Sequence, residues 1–294
     1  MFPPRSILAA IDFSEPSRVA LSYAARLARQ CGSVLHVLHA QDPLLHATAQ
    51  ARHADLTRET REELVAFARA SIPPDAAAPV PHVVVGAPVD VVCDIASREQ
   101  VDVLVVGQHG MSGATRALFG STTEGVLVRS EVSVLAVPAS WSPPSPDSAD
   151  LSGTGPLVAA IECNSPALAA AAAACRLAAV LGTSVEAVHV VPPIGVLARW
   201  QAQADAALDH RLAEARRELT PLLPQLQSDV PVHLHVEAGP VVDRLVASAV
   251  RFGPHAVLVL GRRSPGARQG APGAIARRVL ALTRVPVLVY LPEA

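Results

Sequence analysis

Residues 101–137 read VDVLVVGQHGMSGATRALFGSTTEGVLVRSEVSVLAV. The run at 101–106 is continuously apolar rather than alternating, which predicts a strand covered on both faces, as in a parallel sheet. Gly107 closes it. A helical pattern begins near Ser121 and runs to about Ser130, and residues 132–137 form a further apolar strand. Strand, glycine-bearing loop, helix and strand in that order make the crossover unit of an α/β fold.

The loop itself, GQHGMSGATRALFGST over 107–122, has a chemical use. Glycines let backbone N–H groups approach a ligand closely, and a helix start presents unpaired donors at its positive end, an arrangement suited to phosphate oxygens. A structural reading competes with this one. Gly107 can simply end a strand, and Ser121 with Glu124 three residues on has the form of a capping box. The spacing is neither the Walker pattern nor the dinucleotide fingerprint. It is Gly107, two residues, Gly110, nine residues, Gly120, then Ser121 and Thr122. In this it resembles the nucleotide-binding motif of the universal stress protein family, G-x2-G-x9-G-[S/T].

Composition narrows the chemistry. Half of the 294 residues are apolar but only 3% are aromatic, so cores of Ala, Val, Leu and Ile are expected. The net charge of -2 gives no electrostatic reason for a nucleic acid or an anionic membrane as partner. All 24 basic residues are arginines, which removes Walker-lysine, Schiff-base and pyridoxal chemistry. Cys31, Cys93, Cys163 and Cys175 show no metal-ligand spacing and read as small buried hydrophobes. His36 and His39 fall on opposite faces of a strand, while His233 and His235 share one; they read as surface or satisfied histidines, and no metal ligand is assigned. The amino terminus lacks a cleavable signal pattern and no apolar run is long enough to span a bilayer, so a cytoplasmic protein is expected.

The chain repeats. ILAAIDFSEPSRVALSYAARLARQCGSVLHVLHA, from Ile7, lies without a gap over LVAAIECNSPALAAAAAACRLAAVLGTSVEAVHV, from Leu157, 150 residues later. Ile11 meets Ile161, Gly32 meets Gly182 and His39 meets His189, the mark of a tandem duplication. The Pro- and Ser-rich segment between the copies is a linker. Domains are expected at 1–140 and 155–294, with the linker at 141–154. In the first copy, strands are expected at 6–11, 33–39, 80–85, 101–106 and 132–137, with helices from Ser14 to about Gln30, 44–70, 88–99 and 121–130. Each copy is a Rossmann-like parallel sheet flanked by helices, whose ligands bind beyond the carboxyl ends of the strands.

The resemblance to universal stress proteins extends over both copies, through AIDFSEPS, LHAQDP, the glycine motif and GSTTEGVLVRSEVSVLAVP. It implies five strands in the order 3-2-1-4-5, with Asp12 facing Gly107 across the crevice. It further implies that Ala10 and Asp12 contact adenosine, that Ala40 lies against adenine, and that Gly107 and Gly110 shape the ribose and phosphate loop. Gly120, Ser121 and Thr122 would hold phosphates of ATP, or of ADP or AMP, with Mg2+ carried on the phosphates. No catalytic residue is assigned. The function expected is a nucleotide-dependent stress-response regulator with slow or no hydrolysis; the alternatives are a nucleotide-independent interaction protein and a weak ATPase. The second copy departs from the motif, with Glu162 for Asp12 and Ala274 for Ser121, and its site is expected to be degenerate. Arg262, Arg263, Arg268, Arg277 and Arg278 read as a solvated rim before they read as phosphate ligands. The fifth strands, 132–137 and 285–290, are expected to pair the two copies within a chain, and a homodimer through edge strands is implied.

Overall fold

The structure is a computed structural model that describes residues 2–52, 55–73, 75–108, 120–144, 154–194, 201–262 and 273–292. The first copy comprises β1 (Ser6–Ala10), α1 (Glu15–Cys31), β2 (Val34–Gln41), α2 (Pro43–Ala51), α3 (Leu56–Ser71), β3 (Val80–Val85), α4 (Pro88–Arg98), β4 (Val103–Gly107), α5 (Ser121–Arg129) and β5 (Ser133–Val137). The second comprises β6 (Leu157–Ala160), α6 (Ser165–Leu181), β7 (Val185–Val191), α7 (Gln201–Leu219), β8 (Val232–Ala238), α8 (Val241–Arg251), β9 (Val257–Gly261), α9 (Ala274–Leu282) and β10 (Val287–Tyr290).

The duplication is visible in the caps. Ser14 accepts from the Ser17 N–H at the start of α1, and Asn164 accepts from Ala167 N–H at the start of α6. Gly32 and Gly182 end those helices in the left-handed region, at φ 66° and 67°, where a Cβ is disfavoured. The helix expected over 44–70 is two helices instead. Asp42 accepts from the N–H groups of Leu44 and Leu45 and starts α2, while Asp55 accepts from Arg58 N–H and starts α3. A second aspartate cap inside the apolar pattern offers the backbone a fresh helix start.

The strands order as β3-β2-β1-β4-β5-β10-β9-β6-β7-β8 in one ten-stranded sheet. Each half has the order 3-2-1-4-5 with parallel neighbours, and the halves meet antiparallel at β5 and β10, Leu135 opposite Leu288. Pairing between the copies within one chain therefore occurs as expected. It also occupies both fifth-strand edges, leaving β3 and β8 at the ends of the sheet.

Strand residues alternate between two cores. Ile7, Ala9, Leu135 and Leu288 face the side covered by α1 and α6. Leu8, Leu104, Leu258 and Val289 face the side covered by α4, α5, α8 and α9. Both cores run across the joint, so burial of apolar surface ties the copies together. The interface adds specific contacts. Phe2 meets Tyr290 edge-on at 5.2 Å and Arg176 Nε donates to the Phe2 carbonyl. After β5, Trp141, only 6% exposed, packs edge-on against Tyr23 of α1. The four cysteines are free thiols; Cys175 is buried as read from sequence, whereas Cys31 and Cys93 are half-buried and Cys163 is exposed. Among the described residues no helix is long and apolar enough to cross a membrane.

Candidate functional site

The site lies beyond the carboxyl ends of β1, β2 and β4, where the strand order reverses between β1 and β4. A cavity of about 180 Å3, open to solvent, sits there. Its walls bring together Ala10, Asp12, Ala40, Gly107, Gly120, Ser121 and Thr122. Gly110, the remaining residue of the expected set, lies outside the described residues.

Each wall has a local cause. The Ile11 N–H donates to the Leu38 carbonyl and carries the β1–β2 pairing one residue past Ala10. Asp12 follows two residues after the strand and accepts from both the N–H and the hydroxyl of Ser14. Asp12 thus caps its own turn while also lining the cavity. Phe13 takes φ 62°, a conformation unusual for a residue with a Cβ, and its ring packs against His39 at 4.7 Å and Phe67 at 5.4 Å. The aromatic contacts hold that turn in place.

His39 lines the cavity too and was not among the expected site residues. Its Nδ1 lies 2.8 Å from the Ile11 carbonyl, which requires that nitrogen to carry the proton. His189 makes the same bond to Ile161 in the second copy. The matched histidines of the repeat were the sequence signal, and they support the strand end in both halves.

On the far wall, α5 begins at an N-cap that is Gly120, with no side-chain cap bond. Ser121 is therefore inside the helix rather than its cap, and the capping box read from Ser121 and Glu124 does not form. Gly120 lacks a side chain to shield the helix start, so the first-turn N–H groups open toward the cavity. The Gly120 N–H itself donates to the Gln108 carbonyl at 2.9 Å, closing the base of the motif loop. The Thr123 hydroxyl donates to the Gly107 carbonyl at 2.7 Å and is buried. Of the three consecutive hydroxyls in STT, one pins the helix to β4 and two, on Ser121 and Thr122, line the cavity. An anion of phosphate size has there a helix N-terminus and two hydroxyl donors.

The second copy has a crevice at the equivalent place, lined by Ala160, Glu162, Gly261, Gly273, Ala274 and Ile275. The shape is inherited but the donors are not, since Ala274 and Ile275 replace Ser121 and Thr122. Glu162 is held by the amide of Asn164. Gly261 survives for a packing reason: a Cβ there would lie 2.3 Å from the Pro166 carbonyl oxygen at the start of α6. Of the arginines expected as a rim, Arg278 is exposed, while two are engaged between the copies. Arg262 is 5% exposed and donates to the Val128 and Ser130 carbonyls at the end of α5, and Arg277 pairs with Glu124 at 3.6 Å. Both are joints between the copies. Burial pushes the Arg262 guanidinium below its usual range. Arg263 and Arg268 lie outside the described residues.

The profile of the Universal stress protein family matches residues 4–138 and 154–290. A universal stress protein of Mycobacterium tuberculosis H37Rv is 44% identical over 54 residues, 18% of this chain and 37% of its own length. One from Methanocaldococcus jannaschii is 40% identical over 55 residues, 19% of this chain and 34% of its own. The chain thus spans little more than a third of the length of the curated relatives it matches. Among solved structures, a universal stress protein from Archaeoglobus fulgidus superposes with a TM-score of 0.64 over 99% of this chain and 100% of its own, at 19% identity, a likeness of fold.

Proposed function

We propose that this chain, which belongs to the universal stress protein family, binds one adenine nucleotide in its first copy and acts as a nucleotide-dependent regulator. The observation that carries the reading is the cavity in which Ala10, Asp12, Ala40, Gly107, Gly120, Ser121 and Thr122 converge from four separate stretches of sequence. In this reading adenine enters beside Ala40, whose short side chain leaves room. Asp12 accepts from a ribose hydroxyl, and the α5 N-terminus with the Ser121 and Thr122 hydroxyls holds the phosphates. ATP fits this donor set, as do ADP and AMP with fewer phosphate contacts. Mg2+, if carried in, sits on the phosphates and neutralises charge there.

Hydrolysis is slow in this reading. Backbone donors fixed on ground-state phosphates do not by themselves stabilise a transition state. Of the two titratable groups on the described walls, Asp12 is engaged by Ser14 and His39 by Ile11. Occupancy instead shifts a conformational or association equilibrium of a protein working in the cytoplasm. The second copy, without the two hydroxyls, acts as a structural partner. Because β5 and β10 pair with each other, a homodimer through sheet edges would use β3 or β8, which static light scattering on the full chain tests.

The experiment is mass spectrometry of the nucleotide released on denaturing the purified protein, beside Gly120→Val, whose side chain would crowd the α5 start. Close to one adenine nucleotide per chain, absent from the variant, is the expected result. A wild-type protein that releases none, and whose thermal stability Mg-ATP leaves unchanged, moves the reading to a nucleotide-independent interaction protein.

A further inference from the structure

We propose that His36, His82 and Glu99 form a binding site for a divalent transition-metal ion of Zn2+ type, separate from the nucleotide crevice. Among the described residues these three offer ligand atoms that all lie within 4.8 Å of one another. They come from three elements: His36 from β2, His82 from the edge strand β3, and Glu99 from the residue that caps α4. The β2–β3 register places Leu38 opposite His82 and His36 opposite Val80, so both imidazoles share the face covered by α4. The end of α4 then delivers the carboxylate over them.

The rings stack at 5.2 Å with an interplanar angle of 26°, and His36 Nδ1 lies 2.9 Å from His82 Nε2. Two imidazole nitrogens on a tetrahedral Zn2+ are about 3.3 Å apart, from Zn–N bonds of about 2.05 Å. A small ring rotation therefore trades the hydrogen bond for two metal bonds. Glu99 is exposed and free to close on the ion. Burial lowers the proton affinity of both histidines, which favours the neutral imidazole that metals bind.

Two imidazoles and one carboxylate select a borderline ion over Mg2+ or Ca2+, which take oxygen sets. The fourth position would be left to water or an outside ligand. His36 lies four residues before Ala40 on the same strand, about 13 Å away at 3.3 Å per residue. The site is thus at the opposite end of the sheet from the phosphate donors. It would fasten β3, an edge strand without a single buried residue, to β2 and α4.

The second copy has the same positions with different chemistry. His235 stands opposite Val188 as His82 stands opposite Leu38, and Glu186 takes the place of His36. Glu186 Oε2 is 2.7 Å from His235 Nε2. The helix-capping position of Glu99 is filled by Phe252, whose ring lies 5.2 Å from that of His235. One copy has three ligands; the other has a two-member hydrogen bond covered by an aromatic ring.

The test uses the full chain, treated with chelator and then freed of it. It is titrated with Zn2+ against a chromophoric chelator and with Co2+ by absorption. One ion per chain is expected, with Mg2+ in large excess failing to compete. The exposed substitution Glu99→Gln should weaken Zn2+ by roughly tenfold or more, and His82→Gln should abolish the specific site together with the Zn2+-dependent rise in melting temperature. Glu186→Gln should leave affinity unchanged. The absence of a saturable one-ion site, or equal affinity in wild type, Glu99→Gln and His82→Gln, would overturn the proposal.

Discussion

Replacing Arg262 by alanine should loosen the joint between the copies. Its guanidinium reaches from beyond β9 to the carboxyl end of α5, donating from Nη1 to the Ser130 carbonyl and from Nη2 to the Val128 carbonyl, each at 3.0 Å. A hydrogen bond from a charged donor contributes about 1.5–3 kcal/mol, and a buried carbonyl left unsatisfied costs about 1–3 kcal/mol. The cation also complements the negative end of α5, for about another 0.5 kcal/mol. Against these stands the cost of burying a guanidinium, which is why its proton affinity is depressed. The net loss should be about 3 kcal/mol. That corresponds to about 5 °C in melting temperature for a chain of this size. Urea unfolding followed by circular dichroism, with Arg278→Ala as the exposed control, measures it. Because both cores cross the joint, a single transition is expected. A loss below about 0.5 kcal/mol, the range of ordinary surface substitutions, would refute the argument.

Gly261→Ala should destabilise by about 2–3 kcal/mol, because its Cβ would meet a backbone oxygen, Pro166 O, at 2.3 Å and the start of α6 must shift. Gly125→Ala should cost less, since the clash at 2.5 Å is with a Val89 methyl rather than with backbone and alanine regains helix propensity; equal losses in thermal denaturation would count against this. Iodoacetamide on the native protein should label Cys163 first, as seen by intact mass, because it is exposed while burial raises the Cys31 pKa to about 12. Fast labelling of Cys31 would contradict its placement. Trp141→Ala should cost about 3–5 kcal/mol although it lies in the segment between the copies, because the ring is buried against Tyr23.

The parallel topology was legible because buried strands write themselves as unbroken runs such as VLVV and LVL, and because the duplication doubles every signal. Val80–Val85 and the left-handed Gly32 stand where the pattern puts them. Local chemistry was less legible. The break between α2 and α3 depends on Asp55 acting as a cap, and an aspartate in a helical pattern is equally at home on a solvated face. Ser121 and Gly120 compete for one capping position, and the first bond of the helix, from Glu124 N–H to the Gly120 carbonyl, decides between them. Arg262 reads as a surface charge until the end of α5 is brought over it. His36 gave no metal signal because its companions, His82 and Glu99, stand 46 and 63 residues away in the chain. The places of Gly107 at the end of β4 and of Gly120 and the following hydroxyls at the start of α5 were legible from spacing, because strand, loop and helix fix them by position.

Calorimetric titration of the full chain with Mg-ATP, beside the double variant Ser121→Ala/Thr122→Ile, tests the central claim most directly. The variant writes the second copy's Ala274 and Ile275 into the first. Loss of two hydroxyl donors to anionic oxygens, at about 1.5 kcal/mol each, should weaken binding by roughly 100-fold or more. The account predicts one nucleotide per chain for wild type and that loss in the variant. Two nucleotides per chain, or a variant that binds as tightly as wild type, would contradict it.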